Sequence, residues 1–563
     1  MRNRRKIKLS QFDPDEIFLD SKNLANFNQQ QFEGRIEKPI TRGSIFTVGI
    51  FFTFFVLIFL GQLIRLQIVQ GESYFKRSEN NTLDKTIIFA ERGIIYDRNK
   101  QELAWNKKLD PKQTNDSPFP ERVYKVPGFS HVLGYLSTPA KDEKGIYWQT
   151  DYTGKDGIEK VYDKRLQGEN GSKIIEVDAR NKVYSENIVN TPKRGADLIT
   201  TLDSRLQGEL YTLIKSHSEQ HNFTGGAGVI MDIENGEVLV STSFPEYDSQ
   251  VLTDGKDKEK IKGYLTDKRK VFLDRTISGL YTPGSIVKPF FAFGALAEGI
   301  IDPYKEILST GSISIPNPYV KGQDSVFKDW KVNGWTDMSE AIAVSSDVYF
   351  YAIGGGYQDQ KGLGIARLEK YARLFKIGEP TGIDIPDEKK GNIPSIEWKA
   401  KVFPGDPWRI GNTYHTSIGQ YGFQVTPVEM VRATAALANR GLVVTPHFLL
   451  GEDKEIIDIN NEQIKPEYYD RVLEGMREAV TIGTAASMNV PFVSVAAKTG
   501  TAQVGISKSK VNSWVIGFFP YEKPKYAFTI MMESGPAVGT VGAAPIMKQL
   551  LDWMSIYTPE YFK

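Results

Sequence analysis

No cysteine occurs in the chain, so disulfides and cysteine-based zinc or redox sites are excluded, and stability rests on packing alone. Charge of one sign is also lacking. The 70 basic and 69 acidic residues leave +1, and no global field draws the molecule to nucleic acid. Long apolar runs are absent with one exception. Residues 45–60 read IFTVGIFFTFFVLIFL, without a charge and with two threonines as the polar side chains. Residues 61–66 extend the run by a turn, with Arg65 reaching outward. A bilayer core needs about 20 apolar residues. A run apolar on every side reads as a membrane span, not as the one-faced helix of a soluble domain.

The span does not read as a cleaved signal peptide, since no small-x-small site follows it in GQLIRLQIVQ. Arg2, Arg4, Arg5, Lys6, Lys8, Arg35, Lys38 and Arg42 all precede its core. The positive-inside rule makes residues 1–44 a cytoplasmic tail, 45–66 a transmembrane helix, and the rest extracytoplasmic. The expected location is the inner (cytoplasmic) membrane, crossed once. The polar tail, with QQQ at 29–31, is expected to be mostly disordered.

The 563 residues, 40% hydrophobic and 25% charged, allow two or three globular domains. Residues 67–197 mix short strands with turns. AERGIIYDRNKQELAWN (90–106) predicts two strands about a turn at 97–100, a polar loop covers 110–121, and GKDGIEKVYDKRL (154–166) predicts a short helix. Nothing there pairs a nucleophile with a base, so the segment reads as a stalk. From residue 198 the pattern changes. Asp203 is placed to cap a helix, and two apolar strands flank the turn at 234–236. Three strands follow near the C-terminus, in FVSVAAKTGTAQ, VNSWVIGFFP and YAFTIMMES, before a last helix at about 544–554. Their short connections predict antiparallel neighbours. Strands from both ends flank a helical middle, which predicts one α+β domain over 198–563 whose termini meet in an antiparallel sheet flanked by helices.

Three short patterns carry chemistry. In LYTPGSIVKPFFAFGALAEG, Pro283-Gly284 forms a turn, and Ser285 and Lys288 share one face of the helix that begins there. Pro289 is tolerable in a first turn. A serine hydroxyl needs a base to become a nucleophile, and a lysine serves once burial or nearby cations favour its neutral form. Ser-x-x-Lys also occurs at Ser73, Ser325 and Ser507, but without the Pro-Gly turn and the apolar helix. AIAVSSDVYFYAIG places Ser345 and Asp347 between apolar stretches, where a plain helix cap is the alternative. Lys498-Thr499-Gly500-Thr501 ends an apolar strand. Gly500 lets a ligand approach the backbone, the lysine supplies charge and the threonines hydroxyls; a simple strand-end turn is the alternative. The three in this order form the signature shared by penicillin-binding proteins and class A β-lactamases.

PGSIVKPF, the Ser345-Ser346-Asp347 triplet and KTGTAQ resemble the transpeptidase domain of class B penicillin-binding proteins. SIGQYGFQVTPVEMVRATAALANRG (417–441) is similar to that family's stretch between the second and third motifs, and 90–106, 131–137 and 157–171 resemble its pedestal, the dimerisation-like domain expected over 67–197. HVLGY and the aspartate of the second motif resemble the elongation subgroup, penicillin-binding protein 2, more than the division subgroup, penicillin-binding protein 3. The resemblance implies a peptidoglycan D,D-transpeptidase. Ser285, deprotonated by Lys288, would attack the carbonyl between the two terminal D-alanines of a stem peptide. Backbone N–H groups of Ser285 and Thr501 would form the oxyanion hole. Ser345 would pass a proton to the leaving D-alanine, Asp347 would hold Lys288, and Lys498, Thr499, Gly500 and Thr501 would bind the terminal carboxylate. β-Lactam antibiotics would trap Ser285. Implied partners are stem peptides, the membrane, a SEDS-family glycosyltransferase and elongation-complex proteins.

Two departures from the family stand out. Tyr421 occupies a position that is often glycine, which predicts a differently shaped loop. Trp335 and Ser346 stand where some relatives carry a histidine and a cysteine that bind metal, so neither metal nor any other cofactor is expected. His217 and His221 have zincin spacing, but Ser218 replaces the required glutamate, and HSEQH reads as an exposed helix end. The stalk is too short for a glycosyltransferase of its own. A β-lactam sensor would carry more spans or a signalling domain, and a β-lactamase would lack the pedestal.

Overall fold

The computed structural model describes residues 42–107, 119–125, 127–177, 183–317, 319–452, 454–462, 464–505 and 507–563. The expected disordered tail lies outside them up to residue 41, as does the loop at 110–118. The chain divides into two compact units, Met1–Asp84 with Ile175–Glu186, and Lys85–Ile174 with Asn187–Lys563.

In the small unit, helix α1 (Arg42–Ile64) runs through a π-helical turn, Arg65–Val69, into α2 (Gly71–Thr82). The stretch Arg42–Val69 is one helix of 28 residues, long and apolar enough to cross a membrane, with none of its most apolar window buried. At 1.5 Å per residue it spans about 42 Å, more than the roughly 30 Å of a bilayer's hydrocarbon.

The large unit begins with the predicted hairpin. Strands Ile95–Tyr96 and Glu102–Lys107 pair antiparallel, and Asp97 Oδ1 holds the turn by accepting from Asn99 N and Gln101 N, each at 2.8 Å. The predicted helix after the glycine turn is two short helices, Gly157–Val161 and Asp163–Leu166. Between hairpin and helices lies a fully buried ionic knot. Glu159 accepts from Arg92 Nε at 2.7 Å and from Arg122 Nε at 2.8 Å, while Arg92 Nη2 also donates to Asp163 at 2.7 Å. Burial alone would raise the Glu159 carboxyl, but the charges of Arg122 and Arg92 outweigh it and hold it below the ordinary carboxylate range.

The rest is built on five antiparallel strands. They are β1 (Gly225–Asp232), β2 (Val238–Phe244), β3 (Ala496–Val504), β4 (Lys510–Phe519) and β5 (Tyr526–Pro536), in the order β2-β1-β5-β4-β3. β1 pairs with β5 from Gly225↔Glu533 to Asp232↔Tyr526, so the two ends of the domain meet in one sheet as predicted. Period-two alternation gives the sheet two buried faces. Ile230, Val515 and Ile530 face one core with α3 (Ser204–His221) and a late helix, and Val229, Met231 and Ile516 face the other. That second core holds the helical middle: α4 (Lys288–Ala297), α5 (Met338–Ala343), α6 (Asp347–Gly355), α7 (Pro427–Ala438) and α8 (Pro466–Thr481). The late helix, α9 (Ala544–Tyr557), runs three residues past its predicted end. Asp203 caps α3 as predicted, accepting from Arg205 N at 2.9 Å. The reading of HSEQH as an exposed helix end holds for Glu219 and Gln220 at the end of α3 and is corrected for its first two residues. His217 is only 6% exposed and Ser218 1%, and His217 Nε2 lies 2.9 Å from Val541 O.

The knot yields a stability prediction. Glu159→Gln leaves two buried guanidinium groups facing a neutral amide, and unfolding in urea should show a loss of about 3–5 kcal/mol. Because the Glu159 carboxyl is depressed in the fold, its contribution is present above its unfolded pKa of about 4.3 and is lost as pH falls through the folded value. The variant should therefore lose stability less steeply than the parent as pH is lowered through that window.

Candidate active site

Ser285 sits on a 3-10 turn, Gly284–Val287, that leads into α4. The prediction of one continuous α-helix is thereby refined. With three residues per turn, Ser285 and Lys288 are eclipsed, and Lys288 N donates to Ser285 O. Pro289 falls in the first turn of α4, where a missing N–H costs nothing. Three anchors hold the turn: Tyr281 exchanges backbone hydrogen bonds with Val425, Thr282 O accepts from the buried Trp514 indole at 3.0 Å, and Gly284 N donates to Gly419 O at 3.0 Å. Gly284 has φ +58°, and a Cβ there would lie 2.9 Å from Thr501 O, so glycine is required. The Ser285 hydroxyl is partly buried and has no hydrogen-bond partner among the described residues.

The second motif joins α5 to α6. Ser346 is the cap that the bland reading expected, accepting from Tyr349 N at 3.3 Å. Ser345 is something else. Its φ is +59°, a left-handed conformation that costs a non-glycine residue roughly 1–2 kcal/mol. In that conformation its hydroxyl meets two ammonium groups. Lys498 Nζ donates to Ser345 Oγ at 2.8 Å, and Lys288 Nζ lies 3.3 Å from the same oxygen. Lys288 also donates to Ser345 O at 2.8 Å and to Asp347 Oδ1 at 2.6 Å, and sits over the Phe350 ring.

The third motif lies on β3, an edge of the sheet. Lys498 and Gly500 share one pleat face, and a Cβ at Gly500 would lie 2.8 Å from Pro283 O. Glycine there lets the Ser285 turn pack directly on the strand. Thr499 points the other way and donates its hydroxyl to Thr484 Oγ1 at 2.6 Å. Thr501 is exposed on the same side as Thr499. The structure thus brings Ser345, Asp347, Lys288 and Lys498 into direct contact and sets the Ser285 turn against Gly500 and Thr501.

Both lysines have 0% exposure, and the Asp347 carboxylate pairs with Lys288 and not with Lys498. Lys498 has a hydroxyl and a carbonyl for partners, Ser345 Oγ and Thr499 O. Burial first, then the neighbouring Lys288 charge, push its ammonium group well below the ordinary lysine value, with Asp347 offsetting part of the shift. A hydroxyl oxygen that accepts from two cations is made more acidic, and neither lysine takes its proton.

Tyr421 adopts φ +61°, the conformation a glycine would favour. Its ring packs edge-on against Trp398 and Trp408, with Lys399 Nζ 5.7 Å from its centre. Residues that the sequence reading missed include Trp514, Gly419 and Thr484. The last two stand in loops without a motif, and Trp514 reads as one more core aromatic on an apolar strand.

Comparison with known proteins agrees with this geometry. Residues 226–552 match the penicillin binding protein transpeptidase domain, and residues 115–200 the penicillin-binding protein dimerisation domain. The chain is 28% identical to the peptidoglycan D,D-transpeptidase MrdA of Acinetobacter baumannii, over 92% of this chain and 88% of that one. Identity to the peptidoglycan D,D-transpeptidase FtsI of Escherichia coli is 23%, over 87% of this chain and 88% of that one. Among solved structures, the penicillin-binding protein PBP2 of Helicobacter pylori, in complex with MreC, superposes with a TM-score of 0.69 at 30% identity, over 85% of this chain and 99% of that one. The chain belongs to the penicillin-binding protein transpeptidase family.

Proposed function

We propose that this chain is a peptidoglycan D,D-transpeptidase of the elongation type. The observation that carries the chemistry is the Ser345 hydroxyl, which accepts from both Lys288 and Lys498 beside the Ser285 turn. Lys288, once it has released its own proton, takes the Ser285 proton as Oγ attacks the carbonyl between two terminal D-alanines. Negative charge on that oxygen is met by backbone N–H groups of Ser285 and Thr501. Collapse breaks the peptide bond, and Ser345 gives its proton to the departing D-alanine nitrogen. The amine of a second stem peptide then attacks the acyl-serine, and its excess proton returns through Ser345 and Lys288 to Ser285. Lys498 receives the donor's terminal carboxylate, whereas the Thr499 hydroxyl is turned to Thr484 and takes no part in that contact. A β-lactam presents the same carbonyl and carboxylate in a strained ring and leaves Ser285 acylated.

The higher identity to MrdA than to FtsI favours elongation over division. By analogy with the Helicobacter pylori complex, an MreC-type protein is the proposed partner, together with a SEDS-family polymerase. The Arg42–Val69 helix supports a single-pass anchor in the cytoplasmic membrane, with residues 1–44 inside, 67–197 as pedestal and 198–563 as the catalytic domain outside.

Full-length protein in detergent should bind one fluorescent penicillin covalently, and Ser285→Ala should abolish labelling. An adduct that persists and maps to Ser73, Ser325 or Ser507 would reject the assignment. Lys288→Arg keeps the charge but cannot release its proton, so acylation should slow by about 10²–10⁴-fold. Lys498→Arg keeps the positive charge that meets the carboxylate and should be the milder change. The reverse ranking would move the base to Lys498.

A pH dependence follows from Lys498. Its ammonium is needed charged for the carboxylate, yet it releases its proton well below the ordinary lysine value. The second-order acylation constant should therefore fall as pH rises through that depressed value. Lys498→Arg, charged to above pH 12, should shift this alkaline fall upward. An alkaline limb unchanged by Lys498→Arg would assign it to another group.

A further inference from the structure

Ser345 reaches both lysines only in a left-handed conformation, and something must hold it there. Its immediate neighbours in sequence are gripped from one place, the turn at 329–333. Asp329 Oδ2 accepts four hydrogen bonds: from Ser346 Oγ at 2.9 Å, Val348 N at 3.1 Å, Ser309 Oγ at 3.0 Å and Asn333 Nδ2 at 3.0 Å. Its other oxygen accepts from Trp330 N at 2.8 Å, and Asp329 N donates to Gly311 O at 2.8 Å. Ser346 and Ser309 are 0% and 1% exposed, so these bonds lie largely out of water. The carboxylate also faces the N-terminal end of α6, where negative charge is favoured.

The next residue grips the other side. Trp330 Nε1 donates to Val344 O at 3.2 Å, although the ring itself is 57% exposed. One turn therefore holds the carbonyl just before Ser345 and both the side chain and the backbone just after it. Trp335 takes no part. It is 62% exposed, and Asn333 is the residue that completes the ring around Asp329.

We propose that Asp329 and Trp330 are positioning residues that clamp Ser345 in its proton-transferring conformation. The inference rests on the reading of Ser345 as the proton shuttle. Asp329 fixes the Ser346 side of the peptide and Trp330 the Val344 side, so relaxing the backbone between them to negative φ strains either the charge-assisted bonds to Asp329 or the Trp330–Val344 bond. Released from the clamp, Ser345 would leave the two lysines without their shared hydroxyl. Neither residue is bonded to Ser285, Lys288 or Lys498, so on this reading the loss falls on the chemical step.

The test uses the full-length protein in detergent and stopped-flow acylation by a fluorescent penicillin, which separates the limiting first-order rate from the half-saturating concentration. Asp329→Asn should lower the limiting rate by about 10–100-fold, the range expected for hydrogen bonds to a charged group, with half-saturation within about twofold of the parent. Trp330→Phe, which removes one neutral donor, should lower it by about 3–10-fold. In a Ser345→Ala background, both changes should have an effect of less than about twofold, since residues acting through one group are not additive. If Asp329→Asn does not fold, the Trp330→Phe pair decides alone. The proposal is overturned if Ser345→Ala is impaired while Asp329→Asn and Trp330→Phe acylate like the parent. It is equally overturned if either change is as damaging without the Ser345 hydroxyl as with it. A Ser345→Ala protein that acylates at the parent rate would instead remove the shuttle reading on which the clamp depends.

Discussion

Two ammonium groups share one buried hydroxyl at the centre of this molecule, and a single carboxylate neutralises one of them. Lys288 and Lys498 are both sealed from water, and Asp347 contacts only Lys288. Taking a cation out of water costs several kcal/mol unless an anion or a full set of hydrogen bonds compensates it. For Lys288, Asp347 and the two Ser345 oxygens do so. For Lys498 the compensation is short by one charge, which is why its proton is loosely held. The cluster is thus built one negative charge short. An incoming carboxylate supplies that charge, and both an acyl-D-alanyl-D-alanine terminus and a penicillin carry one. Recognition and chemistry are in this way coupled: the anion that binds Lys498 also fixes the charge of the group that donates to Ser345.

The fold answers the demands of that cluster. Three segments far apart in sequence must meet within about 3 Å, which leaves no room for side chains at the points of crossing. Gly284, Gly419 and Gly500 supply the space, and Trp514 ties the Ser285 turn to the sheet from below. The sheet itself is held between two cores, so the motif strand cannot shift without disturbing both. The strained residue, Ser345, is the one whose hydroxyl joins the charges, and the bonds at 329–333 on either side of it offset that strain.

Much of this was legible in the sequence, for a physical reason. Ser285, Lys288 and Lys498 each sit beside a feature that leaves its own mark: a Pro-Gly turn, an apolar helix, an apolar strand closed by glycine. The meeting of terminal strands followed from their hydrophobic runs and short connections. What escaped notice has no local mark. Asp329 lies 16 residues before Ser345 in a polar hairpin, and nothing in KDWKVNG announces a carboxylate with five hydrogen bonds. Ser285 on a 3-10 turn could not be told from Ser285 on an α-helix, because both spacings place Lys288 on its face. The error at His217 was avoidable. Leu206, Leu210, Ile214 and His217 recur at helical spacing, and the apolar face of α3 carries the histidine inward.

The two edges of the sheet differ in a way that bears on how a peptide would enter. An unpaired edge strand exposes a row of N–H and C=O groups and invites pairing with another chain. On the β2 edge those groups are occupied. Asp203 N donates to Leu239 O, Val238 N to His447 O, and the Gln207 amide both donates to Ser241 O and accepts from Ser241 N. On the β3 edge, among the described residues, no backbone group of another segment is bonded to the outer side of residues 496–504. The Ser285 turn packs on the Gly500 face of the same strand. Leaving one edge closed by specific partners and the other open beside the nucleophile favours strand addition as the route of binding. A stem peptide laid along β3 would gain its main-chain bonds from the strand and place its terminal carboxylate at Lys498, which has no carboxylate partner among the described residues. The register of that pairing, set by Gly500 and Thr501, would then carry its last carbonyl to Ser285.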